Sequence, residues 1–114
     1  MDEKVQNRLI DMRNYALDAI EFLGDMSEEE FLADKRTYYA IIRSLEVVGE
    51  AAAQTGRNTL AEIAGEIAWK EIIGMRNILI HQYSGIEIRN VYKTVKYSLP
   101  GFLDQLNKIL ETET

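Results

Sequence analysis

Met75-Arg76-Asn77-Ile78-Leu79-Ile80-His81-Gln82-Tyr83 is the stretch on which the reading of this chain turns. It contains the one histidine of the sequence and sets an arginine into an apolar run. At about 100° per residue, Trp69, Ile72, Ile73, Leu79, Ile80 and Tyr83 share one side of a helix, with Arg76 near its middle. A guanidinium cannot shed its charge, so burying it without a partner is expensive. The pattern therefore calls for a compensating acid, a functional reason, or both. Arg76 and His81 are five positions apart, about 140° around an ideal helix, and do not share a face. Asn77 and His81, four apart, do. One straight helix thus presents Arg76 and His81 poorly to a single small target. A frayed helix end, a long arginine reaching round, or a second subunit would bring them together.

Working outward, the same three-and-four spacing recurs along the chain. Val5, Leu9, Met12, Ala16, Ile20 and Leu23 define a first helix from about Glu3 to Leu23, stopped by Gly24. Ser27-Glu28-Glu29-Glu30 reads as a capping box opening a short turn through Phe31 and Leu32. Asp34 caps a second helix, about Lys35 to Thr55, with the stripe Tyr38, Ile41, Ile42, Leu45, Val48 and Ala52, and Gly56 ends it. Gly49, Ala52 and Ala53 make that helix slim enough for another to approach closely. Glu46 and Glu50 flank the stripe as candidates to neutralise Arg76, and spacing does not choose between them. Asn58 is positioned to cap a short helix, about Thr59 to Ala64, before Gly65. The central helix spans about Ile67 to Gln82, and Gly74 inside it again suggests close helix contact. Ser84-Gly85-Ile86-Glu87 suggests a turn with a capping box. The next helix carries Ile88, Val91, Tyr92, Val95 and Leu99, with Arg89, Lys93 and Lys96 on its opposite side. Pro100-Gly101 should kink or break it before a last helix, about Phe102 to Leu110. With no convincing strand and short joints, the expected fold is all-α, an antiparallel helical bundle of four to five helices.

The 114 residues suffice for one domain with a single core. Apolar runs are too short to span a bilayer, and the start lacks the pattern of a secretory signal. Cysteine is absent, which excludes disulfides and thiolate metal sites, and one histidine makes zinc a poor fit. These features suit a cytoplasmic protein with no metal and no cofactor. The net charge of −6 argues against loose nucleic-acid binding. The average hides an asymmetry. Residues 1–34 hold ten acids and three bases, whereas residues 67–100 hold two acids and five bases. The central stretch lies in the basic region of an acidic chain.

Each candidate residue has an ordinary reading beside a chemical one. His81 near a helix C-terminus is favoured in its charged form by the dipole, and it is also suited to general acid–base work near neutral pH. One histidine per chain cannot form an acid–base pair, but a symmetric dimer could bring two copies of His81 to one cleft. Arg76 fits a buried ion pair with Glu46 or Glu50, or a phosphate clamp, and the two are compatible. Tyr83 alone reads as an amphipathic rim residue. Arg89, Lys93 and Lys96 read as a solvated face or as a site for a polyanion such as RNA. No Gly-rich phosphate loop is present.

Arg76, four residues, His81, one residue and Tyr83 form a pattern that resembles the signature of the HEPN superfamily, in its HepT-like branch of small prokaryotic toxins. The likeness extends over residues 1–114 as one HEPN-like helical domain. It takes in Val48-Gly49-Glu50-Ala51 late in the second long helix, Met75-Arg76-Asn77 before the histidine, and the Pro-interrupted last helix. The resemblance implies a homodimer of helical bundles with both motifs facing one cleft, acting as a metal-independent endoribonuclease and as the toxin of a type VII toxin–antitoxin module. It implies an MntA-type nucleotidyltransferase as antitoxin, transferring AMP from ATP to Tyr83 and leaving a phosphoprotein. On that likeness Arg76 binds the scissile phosphate, and His81 acts as acid or base in attack of the RNA 2′-hydroxyl. Asn77 and Glu50 support the site, Tyr83 is the AMPylation acceptor, and Arg89, Lys93 and Lys96 guide RNA. The competing expectations are a non-catalytic HEPN module that binds nucleotide or a partner protein, and a plain helical dimerisation domain.

Overall fold

The computed structural model describes residues 1–81 and 87–112, with Ile80 and His81 described at the backbone only. Its elements are α1 (Glu3–Leu23), α2 (Glu28–Leu32), α3 (Lys35–Thr55), α4 (Arg57–Ala64), α5 (Trp69–His81), α6 (Ile88–Lys93), a π-helical turn (Thr94–Ser98) and α7 (Leu99–Thr112). The fold is an all-α bundle, and no strand occurs among the described residues. The helices α1 and α3 form the most extensive packed pair; α3 also packs against α5, and α1 against α7.

Local chemistry fixes the early boundaries. Asp2 caps α1 by accepting from the Lys4 amide at 2.8 Å, and Gly24 ends it at φ 53°. Ser27 and Glu30 exchange the two bonds of a capping box at 2.9 and 3.1 Å, which starts α2. Asp34 caps α3 through the Thr37 amide at 3.0 Å and the Thr37 hydroxyl at 2.8 Å. The buried stripe of α1 (Leu9, Met12, Ala16, Ala19) meets that of α3 (Ile41, Leu45, Val48, Ala52) in one core. Phe31 of α2 is fully buried, with its ring 6.0 Å from Tyr38 and 5.6 Å from Tyr92. It thus ties α2 to both α3 and α6.

Four boundaries and one expected contact depart from the sequence reading. Asn58 does not cap α4: Gly56, at φ 93°, both ends α3 and opens α4, so Asn58 falls inside the first turn. The central helix starts at Trp69 rather than Ile67. Ile67 is buried in the preceding turn, where its amide donates to Ala64, and the Trp69 indole donates to the Ala64 carbonyl at 3.0 Å. Gly74 makes no close helix contact, since a Cβ there would meet nothing within 4 Å. Pro100-Gly101 does not break the chain's last helical rod. The irregularity lies upstream, in the π-helical turn whose Leu99 amide reaches back five residues to the Thr94 carbonyl. A proline removes an amide and crowds the carbonyl one turn back; a widened turn ahead of it supplies the room. Pro100 then sits in the first turn of α7, where its missing N–H costs little. The expected turn at Ser84-Gly85-Ile86 and the helix end at Gln82 lie outside the described residues. The capping box expected to end at Glu87 does not fit, because Glu87 is extended at φ −92° and is itself the residue that opens α6, with no side-chain cap bond.

Replacing Phe31 with alanine should destabilise the fold by about 3–5 kcal/mol, the usual cost of emptying a buried aromatic site. Urea denaturation followed by circular dichroism measures it. A loss under about 1 kcal/mol would mean that α2 is not anchored as described.

Candidate active site

The site is built where α5 crosses α3. A Cβ placed on Gly49 would overlap the Arg76 Cβ and lie 2.9 Å from its Cγ and 3.2 Å from its Cα. Only a residue without a side chain lets the α5 backbone come this close. That approach brings the Arg76 guanidinium onto Glu50, the next residue of α3. The Arg76 Nε donates to Glu50 Oε2 at 2.7 Å, and Nη2 contacts the same oxygen. The remaining arm, Nη1, donates to Asn77 Oδ1 at 2.6 Å. The other glutamate that sequence left open, Glu46, pairs instead with Arg43 of its own helix at 3.3 Å.

Arg76 is less buried than its place in the apolar stripe suggested. Its side chain keeps 24% of its exposure, and that of Glu50 keeps 40%. Trp69 and Leu79 carry the buried side of α5, while Arg76 lies at the seam with α3. The charges stay partly hydrated, so the pair costs little to bury and contributes modestly, about 1 kcal/mol or less. The Glu50 carboxyl is held below its usual range, first by the hydrogen bond from Arg76 and further by one from Gln54, with desolvation opposing both.

Sequence reasoning missed Gln54. Its side-chain amide donates to Glu50 Oε1 at 3.1 Å, and its backbone carbonyl accepts from Arg8 Nη1 of α1 at 2.8 Å. The four-residue spacing of Glu50 and Gln54 was a visible signal, because such residues are neighbours on a helix surface. The tie to Arg8 spans forty-six positions and left no local trace.

The other candidates are placed as follows. The backbone of α5 is helical through His81, which sets the Cα atoms of Arg76 and His81 about 140° apart around the axis. The His81 side chain and all of Tyr83 lie outside the described residues. Arg89 pairs with Glu28 of α2 at 2.6 Å. Arg89 and Lys93 line a shallow surface depression with Glu28, Glu29 and Leu32, so the acids of α2 offset part of the basic stripe. Lys96 is exposed on the π-helical turn. An apolar groove of about 440 Å³ runs between α3, α5 and α6, lined by Leu45, Met75, Ile78, Leu79 and Val91. Among the described residues, neither Arg76 nor Glu50 lines it, and no group of three or more His, Asp or Glu residues could hold a metal ion. No described helix is long and apolar enough to cross a membrane.

Comparison with known proteins gives this arrangement its class. A family model described as ribonuclease HepT-like matches residues 12–109, which include α3, α5 and the whole Arg76-to-Tyr83 motif. This chain belongs to the HepT-like family. It is 41% identical to a Methanocaldococcus jannaschii protein whose name marks it provisionally as an RNase, over 90% of this chain and 88% of that one. It is 39% identical to a Thermococcus cleftensis protein named as a probable ribonuclease HepT, over 78% of this chain and 80% of that one. A Caldanaerobacter subterraneus protein, again provisionally named an RNase, is 36% identical over 82% of this chain and 83% of its own length. No solved structure matches the chain significantly.

Two outcomes follow from the geometry. Alanine at Gly49 should destabilise the protein by about 1–3 kcal/mol, because the clash separates α3 from α5. At an unhindered helix position the same change would stabilise by up to about 1 kcal/mol, so the sign measured by urea denaturation decides. A carboxylate whose folded pKa is depressed contributes stability above its unfolded pKa and loses it as pH falls through the folded value. Wild type should therefore lose stability below about pH 4.5 more steeply than a Glu50→Gln variant. Glu30, lowered by hydrogen bonds from Ser27, and Asp34, lowered by hydrogen bonds from Thr37, titrate alike in both proteins, so the difference isolates Glu50. Parallel acid limbs in thermal melts would contradict the pairing.

Proposed function

We propose that this protein is a metal-independent endoribonuclease and the toxin of a type VII toxin–antitoxin module. The observation that carries the reading is Arg76, gripped by Glu50 inside the family's motif and still partly open to solvent. The names of the relatives point the same way. Arg76 binds the scissile phosphate with N–H groups that Glu50 and Asn77 leave unused. A base removes the proton from the RNA 2′-hydroxyl, the 2′-oxygen attacks phosphorus, and the bond from phosphorus to the 5′-oxygen breaks as an acid protonates that oxygen. His81 fills these roles.

A single chain offers one histidine, and the helical backbone of α5 separates its Cα from that of Arg76 by about 140° around the axis. A homodimer with both motifs at one cleft answers both shortages. Neutralisation falls to an MntA-type nucleotidyltransferase, which transfers AMP from ATP to the Tyr83 phenol with release of pyrophosphate or occludes the cleft. Arg89, Lys93 and Lys96 guide RNA in this reading.

One observation favours the non-catalytic binding module: Arg89 spends its charge on Glu28, in a chain of net charge −6. Cleavage of a mixed RNA pool in EDTA separates the two. Purified wild type, checked by intact mass to be free of AMP, should cleave. His81→Ala should cleave at least about a hundredfold more slowly with an unchanged circular dichroism spectrum. Cleavage undiminished in His81→Ala would end the proposed mechanism, and no cleavage by unmodified dimeric wild type would favour the binding module.

A further inference from the structure

We infer that Gln54 is a positioning residue for Arg76, acting through Glu50. The inference rests on the preceding reading that Arg76 meets the scissile phosphate. A guanidinium carries five N–H groups. Glu50 Oε2 accepts one from Nε and is in ion-pair contact with Nη2, which turns one of its N–H groups to that side, and Asn77 accepts one from Nη1. Among the described residues, two N–H groups are left for a ligand, one on each terminal nitrogen. Where those two point depends on the tilt of the guanidinium plane, and that plane follows the carboxylate that grips it.

The grip on Arg76 uses one carboxylate oxygen. The terminal torsion of a glutamate is broad, so a carboxylate held through one oxygen can rotate and swing its partner with it. Gln54 removes that freedom. One helical turn beyond Glu50, it donates to the other oxygen, Oε1, at 3.1 Å. Its own place is fixed from a third helix, since Arg8 Nη1 of α1 donates to the Gln54 carbonyl at 2.8 Å near the end of α3. The chain of contacts runs from α1 through Gln54 and Glu50 to Arg76 on α5. Gly49 sets the separation of α3 and α5 along this line, and Gln54 sets the angle.

Gln54 is exposed, and the bond from Arg8 goes to its backbone, so its side chain can be changed without disturbing the core. Gln54→Met keeps the length and removes the donor. Gln54→Lys restores a donor to a carboxylate four residues earlier on a helix. Two readouts are taken on each full-length protein at neutral pH: kcat and KM for RNA cleavage in EDTA, and the Arg76 Nε–H resonance in nitrogen–proton correlation spectra. Gln54→Met should lower kcat by about threefold to tenfold, the scale of one hydrogen bond, with KM and melting temperature unchanged. Its Arg76 resonance should shift or broaden, and Gln54→Lys should restore both signals. An unchanged Arg76 resonance in Gln54→Met overturns the inference whether or not wild type cleaves RNA. A changed resonance with wild-type kcat overturns it too, because the aim of Arg76 would then not matter to the reaction. Failure of wild type to cleave at all counts against the proposed function, and the resonance still reports on Gln54.

Discussion

The contact between Arg76 and Glu50 is the interaction on which the rest of the site depends. It exists because Gly49 has no side chain. With even a methyl group there, α5 could not lie against α3, and the guanidinium would not reach its carboxylate at 2.7 Å. The pair contributes little to stability, because both partners keep water. Its consequence is geometric. A positive charge that cannot be lost is held at a helix seam by a partner that leaves part of its donor fork unused. That is the arrangement a phosphate-binding arginine needs.

The fold around this contact was largely legible in the sequence because its boundaries are set by local chemistry. Asp2, Ser27 and Asp34 cap their helices through side chains within three residues, and Gly24 and Gly56 close theirs at positive φ. Such signals sit in a short window of residues. Where the deciding contact was remote or cooperative, the reading slipped. The slim section of α3 pointed correctly to close approach at Gly49, but the same argument failed at Gly74, where no neighbouring helix comes near. Pro100 announced an irregularity, yet the chain placed it upstream, in the turn at Thr94–Ser98. Arg76 was legible as an arginine in need of an acid. Choosing Glu50 over Glu46 required knowing which turn of α3 the α5 backbone touches.

Charge tells a similar story at a larger scale. The acidic α1 and α2 and the basic stretch after Ile67 looked separable along the chain. In three dimensions they meet: Glu28 of α2 pairs with Arg89 of α6. The basic stripe is therefore partly neutralised within the fold, and any attraction for RNA rests more heavily on Arg76. The family to which the chain belongs and the held arginine support a ribonuclease together. Neither would suffice alone, because an ion pair at a helix seam is common and a family likeness fixes no geometry.

The central claim is that Arg76 works as a fixed fork and not merely as a positive charge. An Arg76→Lys variant tests it most directly, with RNA cleavage measured in EDTA beside melting temperature. Lysine keeps the charge and the ion pair with Glu50, but it lacks the planar fork that can serve a carboxylate and a phosphate at once. The account predicts a melting temperature close to wild type and cleavage reduced at least about a hundredfold. Cleavage at the wild-type rate would contradict it, and would leave the grip of Glu50 on Arg76 as a structural feature alone.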